Sequence, residues 1–165
     1  MFKKIFSLGI TLVMAFSLVA CGGAKSAETI EGDFSLAVSV KKTRMSLDDT
    51  ITMTLKNLSG KDIPIKTYNG RMTELEHVMV PIIFPYPEAI GFGLADDELG
   101  YEFILEKDAT IQRTVTLGDA TWVWEPGKGK RVLVVHVVFY VGDGYSELIF
   151  LETNGINERI LIDVK

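Results

Sequence analysis

Arg131-Val132-Leu133-Val134-Val135-His136-Val137-Val138-Phe139-Tyr140-Val141 is the stretch whose reading decides the fold. A strand with one solvated face alternates apolar and polar residues, whereas here valine, leucine and phenylalanine occupy both odd and even positions. Such a β-branched run is buried on both faces and belongs at the centre of a sheet. Turn signals bound it on either side, Glu125-Pro126-Gly127-Lys128-Gly129-Lys130 before and Gly142-Asp143-Gly144 after. The second turn leads into residues 145–151 as a hairpin partner, and Thr153-Asn154-Gly155 leads into a last strand over 159–164.

Towards the N-terminus, residues 34–40 and 50–56 alternate, with Ile51, Met53 and Leu55 on one face. Between them Lys41-Lys42-Thr43-Arg44 and Asp48-Asp49 form a charged turn. Asn57-Leu58-Ser59-Gly60 is a turn into a short strand at Ile63-Pro64-Ile65, whose proline suits a strand start or an edge. A strand over 76–84 is interrupted at Pro81, and residues 101–105 and 110–117 read as a strand pair joined at Glu106-Lys107-Asp108. Outside the N-terminal apolar run no ten residues show helical spacing. The expected class is all-β, an antiparallel immunoglobulin-like β-sandwich of about eight strands over 33–165. Residues 34–65, a Thr-rich strand followed by Asn57 and a polar turn into Ile63-Pro64-Ile65, resemble the opening of bacterial immunoglobulin-like domains such as the intracellular proteinase inhibitor family. That resemblance implies the fold, and a proteinase-inhibitor-like role as one alternative.

Residues 1–20 open with Lys3 and Lys4, continue as an apolar run and end in small residues, the layout of an export signal that is cleaved off. The run is shorter than a membrane-spanning helix needs. Leu18-Val19-Ala20-Cys21 is similar to the lipobox of bacterial lipoproteins. The resemblance implies cleavage between Ala20 and Cys21 and a diacylglyceryl group on the Cys21 thiol. Two acyl chains hold a protein stably on a bilayer where one does so only marginally. Cys21 is the single cysteine, so no internal disulfide is possible. The expected location is the cell membrane or cell envelope, lipid-anchored and facing out of the cytoplasm. Residues 21–32 are small and polar and are expected to be a flexible tether with a reach of roughly 17 Å.

Removing the 20 residues before Cys21 from 165 leaves 145, the size of one domain. Losing Lys3 and Lys4 takes the formal charge from −5 to −7. A chain this acidic lacks the basic face that nucleic acid requires, and the lipid rather than a polybasic patch must hold it to an anionic membrane.

Catalytic patterns are missing. No serine lies in a nucleophile elbow, Gly91-Phe92-Gly93 and Gly127-Lys128-Gly129 lack the residues of a phosphate cradle, and Asp96-Asp97-Glu98 lacks the spacing of a calcium loop. The chain is expected not to be an enzyme and to carry no cofactor. With His77 and His136 as the only histidines, a four-ligand zinc site is not expected. His77-Val78-Met79 is similar to part of the motif of periplasmic copper chaperones, although no His-Met pair precedes it. A copper-carrying role through His77 and Met79 is therefore a second alternative, on the expectation that both share a strand face. The aromatics carry the main expectation. Trp122 and Trp124 lie two apart, on one face if the chain is extended there, and either cap the core or join Phe84, Tyr86 and Phe92 in a binding surface on the 84–94 and 118–127 loops. The expected function is a membrane-anchored, non-enzymatic binding module whose partner is a protein or a carbohydrate.

Overall fold

The computed structural model describes residues 23–68, 72–86, 100–153 and 159–165. Among them are twelve strands: β1 (Lys25–Glu31), β2 (Phe34–Val40), β3 (Arg44–Met45), β4 (Thr50–Asn57), β5 (Ile63–Thr67), β6 (Met79–Pro85), β7 (Glu102–Leu105), β8 (Thr110–Thr116), β9 (Thr121–Trp122), β10 (Gly129–Val141), β11 (Glu147–Glu152) and β12 (Ile160–Val164). Short 3-10 turns at Leu75–Val78, Leu117–Asp119 and Asp143–Tyr145 are the only helical elements among the described residues. No helix there is long and apolar enough to cross a membrane.

Two sheets face each other. One runs β1-β2-β4-β8, antiparallel throughout. The other is built around β10, which is long enough to take two partners in succession along each edge. On one edge it pairs with β12 over 129–133 and then β11 over 136–141, and on the other with β6 over 131–137 and then β5 at 139–140. β7 extends this sheet beyond β5, while β3 and β9 add parallel to β12 and β6. The all-β sandwich expected from the sequence is thus the fold, with more strands than the eight anticipated.

The composition of β10 explains its position. Its odd residues, Leu133, Val135, Val137 and Phe139, are fully buried in the core between the sheets, against Leu36, Val38, Ile51, Met53 and Leu55 of the facing layer. Its even residues Val132 and Val134 are equally buried on the outer face, in a second cluster with Ile82 and Phe84 of β6. Fully burying such a side chain contributes about 1.5–3 kcal/mol, so a strand apolar on both faces is most stable at a central position.

Two sequence expectations change. The flexible tether placed at 21–32 is, from Lys25 to Glu31, strand β1, paired with β2 along its whole length. Edge pairing uses backbone groups, so a small, polar segment qualifies without an apolar stripe; Gly32, with φ of 56°, makes the tight turn into β2. The domain therefore begins before residue 33. Residues 101–105 and 110–117 are not a hairpin either, because β7 pairs with β5 in one sheet and β8 with β4 in the other. The chain crosses between layers at 106–109, where Asp108 adopts φ of 56°.

Asn57 secures that crossing from inside. Its buried Nδ2 donates to the carbonyls of Lys61 (2.7 Å), Leu105 (3.1 Å) and Glu106 (2.9 Å), and its Oδ1 accepts from Ser59 N–H at 2.9 Å. At the opposite end, Asp49 accepts from the Ser46 N–H (2.7 Å) and pairs with Lys42 at 2.9 Å, which hold its carboxyl at about 2. One of the two acids in the Asp48-Asp49 pair is thereby committed to a turn.

His136 lies on the outer face of β10, buried, with Nε2 3.1 Å from Glu152 Oε1 across the strand pair and its ring edge-on to Phe150. Burial holds the imidazole below its ordinary range, and Glu152 opposes that shift. In the unfolded chain a histidine gains its proton near pH 6.5, so the unfolded state binds more protons below that value. The stability this group confers is present above about pH 6.5 and is lost as pH falls below it. Urea midpoints are expected to drop between pH 7.5 and 5.5, by less in His136→Gln; a midpoint that rises on acidification would mean that the charged pair with Glu152 prevails.

Candidate functional site

The site forms where the chain enters and leaves the central strand. β6 ends at Pro85, opposite Arg131 of β10, and Tyr86 turns away with half of its surface exposed, 50%. β9 adds to the free edge of β6 through Ile82–Thr121 and Ile83–Trp122, and the Val123 N–H donates to the Ile83 carbonyl at 3.1 Å. Trp122 is fixed from the other side, its indole N–H donating to the Leu117 carbonyl at 3.1 Å while the ring packs on the core. After β9 the chain leaves extended pairing, and Trp124 stands out with 67% of its surface exposed.

The loop back to β10 needs its glycines. Gly129 has φ of 106°, which side-chain-bearing residues rarely adopt. A Cβ on Gly127 would lie 3.1 Å from an Arg131 guanidinium nitrogen, so that glycine leaves room for the arginine. The result is an open cleft of about 450 Å³ lined by Ile83, Pro85, Tyr86, Trp122, Trp124, Glu125 and Arg131. Arg131 donates to the Lys130 carbonyl at 2.9 Å, and among the described residues no carboxylate lies within ion-pairing range of it. Lys130 Nζ stands 5.8 Å from the centre of the Tyr86 ring, and a smaller cleft with Thr43, Leu161 and Asp163 opens beside the same tyrosine.

The structure brings together three of the five aromatics expected at a surface, Tyr86, Trp122 and Trp124. Their burial differs, since Trp122 packs on the core while Trp124 is mostly exposed, and both line the same cleft. Phe84 is a correction. It is 2% exposed, because β6 places it beside Val132 on the outer face of the sheet. Phe92, Ala20 and Cys21 lie outside the described residues, as do the acidic Asp96-Asp97-Glu98 and the 87–94 part of the expected loop. His77 and Met79 do not share a strand face. His77 sits in a 3-10 turn 3.7 Å from Glu74, whereas the Met79 side chain is fully buried in the core. Among the described residues no three His, Cys, Asp or Glu side chains gather as a metal site. Arg131 and Glu125 are cleft residues that pattern reading missed: the first looks like the opening of a core strand, the second like part of a turn. Glu125 adjoins Trp124 in the chain, whereas Arg131 comes to the tryptophans through the pairing of β6 with both β10 and β9, which leaves no short-range signal.

Fold and cleft together define an all-β sandwich with an aromatic cleft at one end. No protein-family model matches the chain, and neither the curated proteins nor the solved structures contain a match to it.

Proposed function

We propose that this chain is a lipid-anchored, non-enzymatic binding module of the bacterial cell envelope, exposed outside the cytoplasm, whose binding site is the cleft of Tyr86, Trp122, Trp124, Glu125 and Arg131. The convergence of two exposed aromatic rings and an arginine that has no carboxylate partner among the described residues on one cleft of about 450 Å³ carries the reading. Small binding sites have this size and this composition, apolar and aromatic walls with a few polar groups that fix orientation. The anchor rests on the resemblance of residues 18–21 to a lipobox.

Trp124→Ala tests the site. With so exposed a ring the melting temperature is expected to stay within about 2 °C of wild type, while the component cross-linked to the protein in intact envelopes is lost. Trp122→Ala is expected to lower stability by about 2–4 kcal/mol, since it removes a ring packed on the core. If Trp124→Ala retains every cross-linked component, the cleft is not the binding site.

A further inference from the structure

Anchor and cleft lie at the same end of the sandwich. Lys25, the first residue of β1, pairs with Val40, Val40 with Ile51, and Ile51 with Val115. The chain then runs through Thr116 to Leu117, whose carbonyl holds Trp122. In the other sheet Gly129 pairs with Val164, which pairs with Met45. Only Gly22, Gly23 and Ala24 separate Cys21 from β1. Four residue steps span at most about 14 Å, so lipid on Cys21 holds this end, and not the far one, against the headgroups.

The acidic total of the chain conceals a separation of charge. Among the described residues Lys25, Lys41, Arg44, Lys128, Lys130, Arg131 and Lys165 lie at the anchored end, against Asp48, Glu125 and Asp163; Asp49 is paired with Lys42, and Asp119 accepts from Thr116. Among the described residues the far end exposes Glu31, Asp33, Asp62, Glu106, Asp108, Asp143 and Glu147, against Lys56, Lys61 and Lys107, with Lys66 paired to Glu102. Between the basic residues of the anchored end project Trp124 and Tyr86, with Leu47, Leu161 and Val123 exposed nearby. Tryptophan and tyrosine favour the membrane–water interface, and lysine and arginine favour anionic headgroups.

We infer that the partner of the aromatic end is the anionic lipid surface itself: Trp124 and Tyr86 enter the interface, the basic residues meet phosphates, and the acidic end points away from the bilayer. This rests on the lipid-anchor part of the proposed function and names the partner of its site.

The test uses the acylated protein on vesicles of phosphatidylcholine with or without 30% phosphatidylglycerol, with brominated lipid as quencher. The signal of Trp124 is the difference between wild type and Trp124→Phe. Docking gives strong quenching and a blue shift on anionic vesicles, less on neutral ones, and loss of the difference in 0.5 M salt. Lys128→Glu with Lys130→Glu is expected to reduce the docked population at least tenfold, at about fivefold per cation removed. A protein that stays with the vesicles while Trp124 remains exposed to water overturns the docking and leaves the anchor standing; so does protection of Trp124 only after an envelope protein or glycan is added. A protein that carries no acyl group on Cys21 and does not fractionate with membranes removes the anchor reading on its own evidence.

Discussion

Phe139→Ala is expected to lower the stability of the domain by about 3–5 kcal/mol, the range for truncating a fully buried phenylalanine. The ring is inaccessible to solvent and meets Phe34 edge-on at 5.1 Å, across the space between the two sheets. Its loss therefore opens a cavity and removes an aromatic contact between the layers. Because Phe139 lies where β10 is paired with β5 and β11 at once, neither neighbour can collapse into the space without breaking a ladder. Thermal unfolding should shift by about 10 °C or more, and Phe139→Leu, which keeps most of the volume, should recover more than half of the loss. A shift under about 3 °C would show that the core reorganises around this position.

Asn57→Asp comes next, at about 2–4 kcal/mol, although the shape of the side chain is unchanged. The amide donates to the carbonyls of Lys61, Leu105 and Glu106, of which that of Lys61 also accepts from the Ser59 hydroxyl. A carboxylate there has no proton to give, so the same oxygens face a negative charge and burial adds its desolvation cost. Asn57→Ala should cost less than the aspartate variant, and lowering the pH towards 4 should restore part of the stability of Asn57→Asp by protonating the new acid. Urea denaturation of the three proteins at pH 7 and pH 4 checks both points. Equal midpoints for wild type and Asn57→Asp at pH 7 would mean that the three carbonyls do not depend on Asn57.

The two predictions also mark what was readable from residue order. Phe139 was assignable to a central strand because 131–141 is apolar on both faces, a property of side chains alone. Asn57 read as a turn residue, which it is, but its hold on Leu105 and Glu106 depends on a contact 48 residues away that no local pattern encodes. The hairpin expected at 101–117 failed for a related reason: two alternating stretches and a short polar link fit a hairpin and a crossing between sheets equally well, and only the partners β5 and β4 decide. β1 was missed because an edge strand is held by its backbone, and backbone pairing leaves little trace in composition. At the cleft, the aromatic pair at 122 and 124 was conspicuous, whereas Phe84 looked like its companion until the pleat of β6 turned it to the outer face. The net charge misled in another way. It counts ions without placing them, and here placement separates a basic end from an acidic one.

The position of β10 in the chain bears on how the molecule forms. Its partners β5 and β6 precede it by more than forty residues and β12 follows it by more than twenty-five, so apart from the hairpin with β11 the ladders of the most buried strand are long-range. Folding dominated by such contacts is slow, and here it cannot finish until the last strand is available. A chain that crosses a membrane N-terminus first would carry its core-forming strand near the rear and remain extended throughout passage. Under the proposed export that order favours the extended state transport requires, and a stabilising mutation in a strand that belongs to the folding nucleus speeds folding with little effect on unfolding.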